Sequence, residues 1–401
     1  MDDQSNNLIS TNMVETIRSA SWIRQMFEEG NRLRAKVGAE NVFDFSLGNP
    51  SAPPPPEFKA ALIKTAQDSE PADHRYMTNV GRFDTRTHIA EELRDVHGDN
   101  ITPDHVVMTC GAAGGLNVFL KSVLNEGDEV ILLKPYFPEY QFYIGNHGGL
   151  PILVDTDEDF QPDLKAIEAA LTDKTRAIIL NTPNNPSGVV YNAAIVDQIG
   201  TMVERHSEAN NRPTYLIMDE PYRRIIYCDE PHPSVLKGCR YGVVISSMSK
   251  ELGLAGERIG FVIVNPRLEG HESLISAMSV ATRTLGFVNA PAFMQRVLTH
   301  CGHACVDLTQ YRKHRDMLYE ALTGFGYEMP VPNGAFFLFP KAPGGDDLAF
   351  LDTLRKFHVL SVPGRGFGTP GYIRISYAVP TRTVESAIPL FKKAFDQHMD
   401  R

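Results

Sequence analysis

The chain reads as an α/β protein: a large domain with a mostly parallel central sheet flanked by helices, and a smaller α+β domain built from both chain ends. Three observations predict it. Between about residues 76 and 289, short apolar runs alternate with helix-length amphipathic stretches, the pattern of strands joined by crossover helices. Several of those runs are apolar almost throughout, as strands covered on both faces must be. At 401 residues the chain is long for one domain and short for three.

Taken in order, residues 12–39 carry helically spaced apolar side chains among many charges, which predicts an amphipathic helix with Trp22, the only tryptophan, as its packing anchor. The segment NVFDFSLGNP then runs extended into four consecutive prolines at 53–56, a stiff connector that neither a helix interior nor a central strand accepts. The predicted strands are HVVMT, DEVILL, GLPILV, RAIILN, TYLIMD, GVVISS and RIGFVIV. One long helical pattern follows over 291–325, then GAFFLFP and GYIRISYA as strands and a closing helix over 384–397. The expected division is 46–290 for the large domain, with 1–45 and 291–401 forming the small one.

Composition narrows the function. A net charge of −10 argues against a nucleic-acid partner and against a polybasic membrane surface. The longest apolar runs are strand-sized, so no membrane span is expected. The N-terminal MDDQSNNLIS lacks the apolar stretch of a secretory signal, and five cysteines are too few for a disulfide framework in a chain this long, which together predict a cytoplasmic protein.

The chemistry-bearing residues cluster just after the predicted strands, where open parallel sheets place their ligands. TCGAAGG, at 109–115, is a glycine-rich turn opening a helix; it either packs tightly or bares N–H groups toward a phosphate. KPYFPEY, at 134–140, offers Phe137 as a core residue or as a stacking surface. NTPNNPSG, at 181–188, is rich in turn formers, yet Asn185 at a strand end can also hydrogen-bond a ring hydroxyl. Asp219, in MDEPY, closes an apolar strand, and a carboxylate there needs a cationic partner. In SSMSKELGLAGERIG, at 246–260, Lys250 lies beside buried apolar surface, which lowers an amine's pKa and makes it a nucleophile toward an aldehyde. Ser247 and Arg258 supply donors for a phosphate.

The ordered set SLGNP, NTPNNPSG, DEPY, SMSK with GERIG, and GYIRISYA resembles the class I/II aminotransferases of the pyridoxal-phosphate fold-type I superfamily, over nearly the whole chain. The resemblance implies pyridoxal 5′-phosphate as cofactor and a transaminase acting on a small L-amino acid of the aspartate or alanine kind, with a 2-oxo acid such as 2-oxoglutarate as acceptor. It implies that Lys250 forms the Schiff base and shuttles the substrate proton, and that Asp219 holds the pyridine nitrogen protonated. Tyr222 and Asn185 would bond the ring oxygen, and Phe137 would stack on the ring. Ala112 and Ala113 through their N–H groups, with Ser247, Ser249 and Arg258, would cradle the phosphate. Tyr76 would reach the phosphate of a neighbouring subunit, so a homodimer with shared sites is implied. Arg374 would clamp the substrate α-carboxylate, and Gly48 would close over the substrate. The NGAFF and PGRGFG signatures of the small domain read as architectural.

Two features depart from the pattern. Ala113 stands where some aspartate-type relatives carry a lysine for a distal carboxylate, which leaves Arg283 or Arg82 as the expected receptor of such a group. The string THCGHAC, at 299–305, invites a metal, but on a helix its four side chains do not share one face, so none is expected. A C–S β-lyase on the same scaffold is the rival reading, and a cofactor-sensing regulator a more distant one. A dinucleotide oxidoreductase is excluded because GAAGGL lacks the GxGxxG spacing.

Overall fold

The computed structural model describes residues 8–19, 22–98 and 100–400. Among the described residues, twelve strands form three sheets: β1 (Phe43–Asp44), β2 (Val106–Thr109), β3 (Glu129–Lys134), β4 (Leu150–Asp155), β5 (Thr175–Asn181), β6 (Tyr215–Asp219), β7 (Gly242–Ser247), β8 (Gly260–Val264), β9 (Phe337–Leu338), β10 (Val359–Leu360), β11 (Val362–Pro363) and β12 (Ile373–Ser376). The seven apolar runs read from the sequence are β2 to β8, and they make one sheet in the order β2-β8-β7-β6-β5-β3-β4. All pairs are parallel except those of β8, which runs antiparallel to both β2 and β7. Strands β2, β6, β7 and β8 are buried along their whole length, which is why their sequences show no polar alternation. The edge strand β4 leaves Leu150 and Leu153 exposed.

The reversal of β8 matters for function. Parallel strands bring their carboxyl ends to one edge, and an antiparallel strand brings its amino end there instead. Gly260, at the start of β8, is in register with both Thr109 and Ser247. Arg258, just upstream, therefore arrives at the edge where β2, β5, β6 and β7 end.

The remaining strands knit the two ends of the chain together. β1 pairs in parallel with β10, and β12 lies between β11 and β9 in a small antiparallel sheet. Phe45 N–H donates to Leu360 O, and Ser376 N–H donates to Phe45 O, so the SLGNP segment is held against β12. The C-terminal helix Thr381–Met399 packs on Thr309–Gly324 and Asp347–Lys356.

Three sequence expectations change in detail. The amphipathic pattern over 12–39 forms two helices, Thr11–Ser19 and Trp22–Val37, and the packing of Trp22 lies outside the described residues. The long pattern over 291–325 is also two helices, Ala292–Cys301 and Thr309–Gly324. Gly302, at φ +56°, ends the first, and Asp307 Oδ1 accepts from Thr309 N–H at 2.9 Å to start the second. The expected strand GAFFLFP shrinks to Phe337–Leu338.

Candidate active site

Five strand ends converge on a cavity of about 310 Å³. Its wall includes Gly48, Ala112, Ala113, Phe137, Asn185, Asp219, Tyr222, Ser247, Ser249, Lys250, Arg258 and Arg374, twelve of the thirteen residues that the resemblance assigns to the cofactor and the α-amino acid. The thirteenth, Tyr76, is 90% exposed and lies off this cavity.

Asp219 ends β6, where its partner in register is Asn181 at the end of β5. The Asn181 side chain ties the two strand ends to the next turn: its Nδ2 donates to Asp219 O at 2.9 Å, and its Oδ1 accepts from Asn185 N–H at 2.8 Å. Asn185 is placed at the cavity wall by that bond. Asp219 Oδ2 accepts from the Tyr140 hydroxyl, while Oδ1 is buried with no partner. Burial pushes the carboxyl up to about 7, with the Tyr140 hydrogen bond opposing and the neighbouring Glu220 adding to the rise. A buried, half-satisfied carboxylate facing a cavity is a site waiting for a hydrogen-bonding cation.

Glu220, the next residue, faces the other side of the sheet. His97 Nε2 lies 3.0 Å from its Oε1 and His232 Nε2 lies 2.8 Å from its Oε2. Burial works against its ionised form, but the two histidines hold its carboxyl well below the usual range. The paired acid is thus satisfied beneath the sheet and the unpaired one is left to the cavity.

Lys250 sits on the single turn Met248–Glu251 that follows β7, a turn capped by the Ser247 hydroxyl. Its Nζ donates to Gly48 O at 2.7 Å and lies 5.5 Å from the Phe336 ring centroid and 5.8 Å from that of Tyr222. Burial, then the charges of Arg374 and Arg258, lower its pKa to about 8. An amine with that pKa is unprotonated in about a tenth of molecules at pH 7, against well under a thousandth for an ordinary lysine, which raises its reactivity as a nucleophile or proton acceptor.

Arg258 has φ +54° and donates through Nη1 to Ala255 O at 2.9 Å. Gly111, at φ +72°, opens the helix Gly111–Val123, and a Cβ there would lie 2.7 Å from Arg258 Nη2. The absent side chain is what lets the guanidinium reach the helix N-terminus. The N–H groups of the first turn, the helix dipole, Arg258 and the two serine hydroxyls together make a cradle for a dianion.

Arg374, on β12, is fully buried. Its guanidinium lies 4.8 Å from the Phe337 ring centroid and 4.9 Å from that of Phe367. Nη1 donates to Asn185 Oδ1 at 3.0 Å and Nη2 to Ser46 O at 2.6 Å, while Nε has no partner. Burial lowers its pKa to about 10, so it stays charged at neutral pH. Two rings fix the plane of the fork, which is the geometry for binding a carboxylate in one orientation.

The residues present fit pyridoxal phosphate on observations of the site itself. Asp219 Oδ1 is an orphaned buried acceptor suited to a pyridinium N–H, the Gly111 turn with Arg258 is a phosphate cradle, and Lys250 is an amine beside both.

Of the seven wall residues not singled out from the sequence, three are titratable: Tyr140, Glu139 and Tyr143. Tyr140 follows Phe137 by one helical turn, a spacing that hinted at a shared face, but its bond to Asp219 spans two strands. Phe337 and Phe367 belong to the signatures read as architectural, and in the structure they sandwich Arg374. Arg82 donates to Asp84 at 3.0 and 2.8 Å and to Asp73 at 3.4 Å, and Arg283 is exposed at the end of the helix His271–Thr284. Neither lines the cavity within one chain. In THCGHAC the helix stops at Cys301, and among the described residues no group of three His, Cys, Asp or Glu side chains could hold a metal. No described helix is long and apolar enough to cross a membrane.

Comparison with known proteins agrees with this geometry. The family described as aminotransferase class I and II matches residues 40–389. An aspartate aminotransferase of Thermotoga maritima is 30% identical over 356 residues, 87% of this chain and 90% of that protein. The crystal structure of an aminotransferase from Eubacterium rectale superimposes with a TM-score of 0.93 at 38% identity, covering 97% of this chain and 99% of the other. That of the Thermus thermophilus aspartate aminotransferase with maleate gives a TM-score of 0.83 at 25% identity, over 94% and 97% of the two chains.

Proposed function

Because the chain belongs to the class I and II aminotransferases, a pyridoxal-phosphate-dependent family, we propose that this transaminase moves the amino group of a small L-amino acid, aspartate- or alanine-like, to a 2-oxo acid such as 2-oxoglutarate. The observation that carries the proposal is the convergence on one cavity of an amine, an orphaned carboxylate and two arginines, each suited to a different part of the reacting pair.

In this reading Asp219 would accept a hydrogen bond from the pyridinium N–H and keep the nitrogen protonated, Asn185 and Tyr222 would bond the ring oxygen, and Phe137 would face the ring. Ala112, Ala113, Ser247, Ser249 and Arg258 hold the phosphate. Bound there, the cofactor supplies an electron sink for the pair left on the substrate α-carbon. Arg374 grips the α-carboxylate, and Gly48 and Asn185 border the same end of the cavity. The grip fixes which α-carbon bond stands perpendicular to the ring, and so favours proton removal over other bond cleavages. Lys250 Nζ would take that proton from the α-carbon and deliver it to the carbon on the far side of the amino nitrogen.

The exposure of Tyr76 supports a homodimer in which this side chain completes the neighbour's site. The division at 46–290 against both chain ends is proposed on the pairing of β1 with β10, which places Phe43–Asp44 in a sheet with late sequence. The free state of all five cysteines supports a cytoplasmic location, and the family supports a place in amino-acid biosynthesis.

The test is a half-reaction. Holoenzyme given an amino acid alone should release one equivalent of 2-oxo acid and retain the amino group, returning it when a second oxo acid is added. Release of ammonia over many turnovers would instead establish a lyase. Lys250→Ala should lose turnover and the borohydride-fixable link to the cofactor together; normal turnover in that variant would overturn the assignment.

A further inference from the structure

One acidic wall residue has no role in the scheme above. Glu139 opens the short helix Glu139–Gly145, two residues after Phe137 and one before Tyr140. An acid in the first turn of a helix is ordinary when it faces water. Glu139 instead lines the cavity, and its Oε2 is buried with no hydrogen-bond partner. Burial raises its pKa, and a hydrogen bond from its own backbone N–H and then the nearby Arg374 charge partly oppose the rise. No ion pair closes on it within 4.0 Å, although several of the chain's buried carboxylates, such as Asp347 and Glu220, have one.

The cavity's cations are already committed. Among the described residues of this chain, Lys250, Arg258 and Arg374 are the cavity's only lysine and arginines, serving the cofactor aldehyde, the phosphate and the α-carboxylate, and the rest of the wall is apolar or aromatic apart from two asparagines, two serines, Asp219 and Glu139. Within its own chain, a substrate side chain entering past Phe137 therefore meets an acid with one unpaired oxygen and no spare base. A second carboxylate would face Glu139 across a poorly hydrated space, and like charges there cost far more than in water. A side chain ending in N–H donors would satisfy the orphaned oxygen.

We propose that Glu139 is the side-chain specificity residue of this transaminase and selects an amino acid with a basic, amine- or guanidine-bearing side chain against a dicarboxylic one. The inference rests on the transaminase reading of the cavity and moves both partners away from the dicarboxylic end of their range, the donor from aspartate and the acceptor from 2-oxoglutarate to a monocarboxylic 2-oxo acid. Glu139 acts as a hydrogen-bond acceptor for the substrate and takes no part in proton transfer.

The test uses unreactive carboxylates of matched length on the holoenzyme: 5-guanidinopentanoate, glutarate and pentanoate. Each should engage Arg374, and they differ only at the far end. Binding is read from the perturbed cofactor absorbance. Wild type should bind 5-guanidinopentanoate about tenfold more tightly than glutarate, and Glu139→Gln should erase most of that ratio. Glutarate binding as tightly as the guanidino acid to wild type would overturn the proposal without any variant. So would an unchanged ratio in Glu139→Gln with pentanoate binding intact. Single turnovers with arginine, ornithine, alanine and aspartate separate the two layers. If no amino acid loses its amino group but the ligand ratio holds and collapses in Glu139→Gln, the transaminase reading fails and the charge selection stands. If aspartate reacts faster than ornithine and arginine, the transaminase reading stands and the role of Glu139 fails.

Discussion

Asp219→Asn should stabilise the cofactor-free protein while destroying its activity. In the folded chain burial lifts the Asp219 carboxyl from 3.8 to about 7. Between those values the folded state retains a proton that the unfolded chain has released, so folding binds protons and stability falls as pH rises through the window. The loss is absent below the unfolded pKa and complete above the folded one. Two pH units of that window, at roughly 1.4 kcal/mol each, correspond to about 3 kcal/mol. Asparagine has no charge to bury, and its Oδ1 still accepts from Tyr140. The two proteins share Glu220, His97, His232 and every other titrating group, so their difference isolates Asp219. Urea unfolding of both cofactor-free proteins, at matched concentration, should show the variant's advantage widening by about 3 kcal/mol between about pH 5 and about pH 8. Turnover of the reconstituted variant should collapse, because the pyridinium loses its counter-charge. A stability gap that is flat with pH, or that narrows as pH rises, would refute the reasoning that Asp219 is held as a strained, uncompensated acid.

Two further substitutions probe the two ends of the cavity. Arg374→Ala removes a buried guanidinium held between Phe337 and Phe367, and should lower kcat/KM by about a hundredfold or more, the ~3 kcal/mol of a desolvated charged contact, while cofactor content measured by absorbance persists. Arg374→Lys should recover little of it, because an ammonium cannot reproduce the fork; near-complete recovery would show that charge alone matters. Gly111→Ala places a Cβ 2.7 Å from Arg258 Nη2 at a backbone φ of +72°, and should weaken cofactor binding by about tenfold in equilibrium dialysis, roughly the 1–2 kcal/mol cost of that conformation in an alanine. Unchanged affinity would mean that the Gly111 turn does not cradle the phosphate.

Local order carried most of what the sequence revealed. The seven central strands were legible because buried strands are continuous apolar runs whatever they pair with, and the glycine turn and Lys250 because turn chemistry and the strand before it are neighbours in the chain. Helix ends were legible only in part: the run over 291–325 keeps helical spacing through Gly302, and the break there depends on Val306 N–H reaching Glu251 O, a contact between distant segments. The same limit explains what was missed in the site. Nothing near Tyr140 in sequence announces that its hydroxyl faces Asp219 two strands away. Phe337 and Phe367 look like core aromatics, and only the packing of β12 between β9 and β11 sets them on either side of Arg374.

The sequence alone determined the fold class and, through its resemblance to the class I/II aminotransferases, pointed to the cofactor and to twelve residues that line the cavity, because each lies in a short motif. Tertiary structure decided the electrostatics. Lys250 drops to about 8 and Asp219 rises to about 7 because water is excluded from a pocket assembled from segments hundreds of residues apart, and desolvation is a property of the assembled pocket. It also decided that Glu139 faces inward with an oxygen unpaired, and that neither Arg82 nor Arg283 reaches the cavity of its own chain. Which side of a helix turns to a ligand is fixed by what packs against the other side, and no stretch of sequence carries that information by itself.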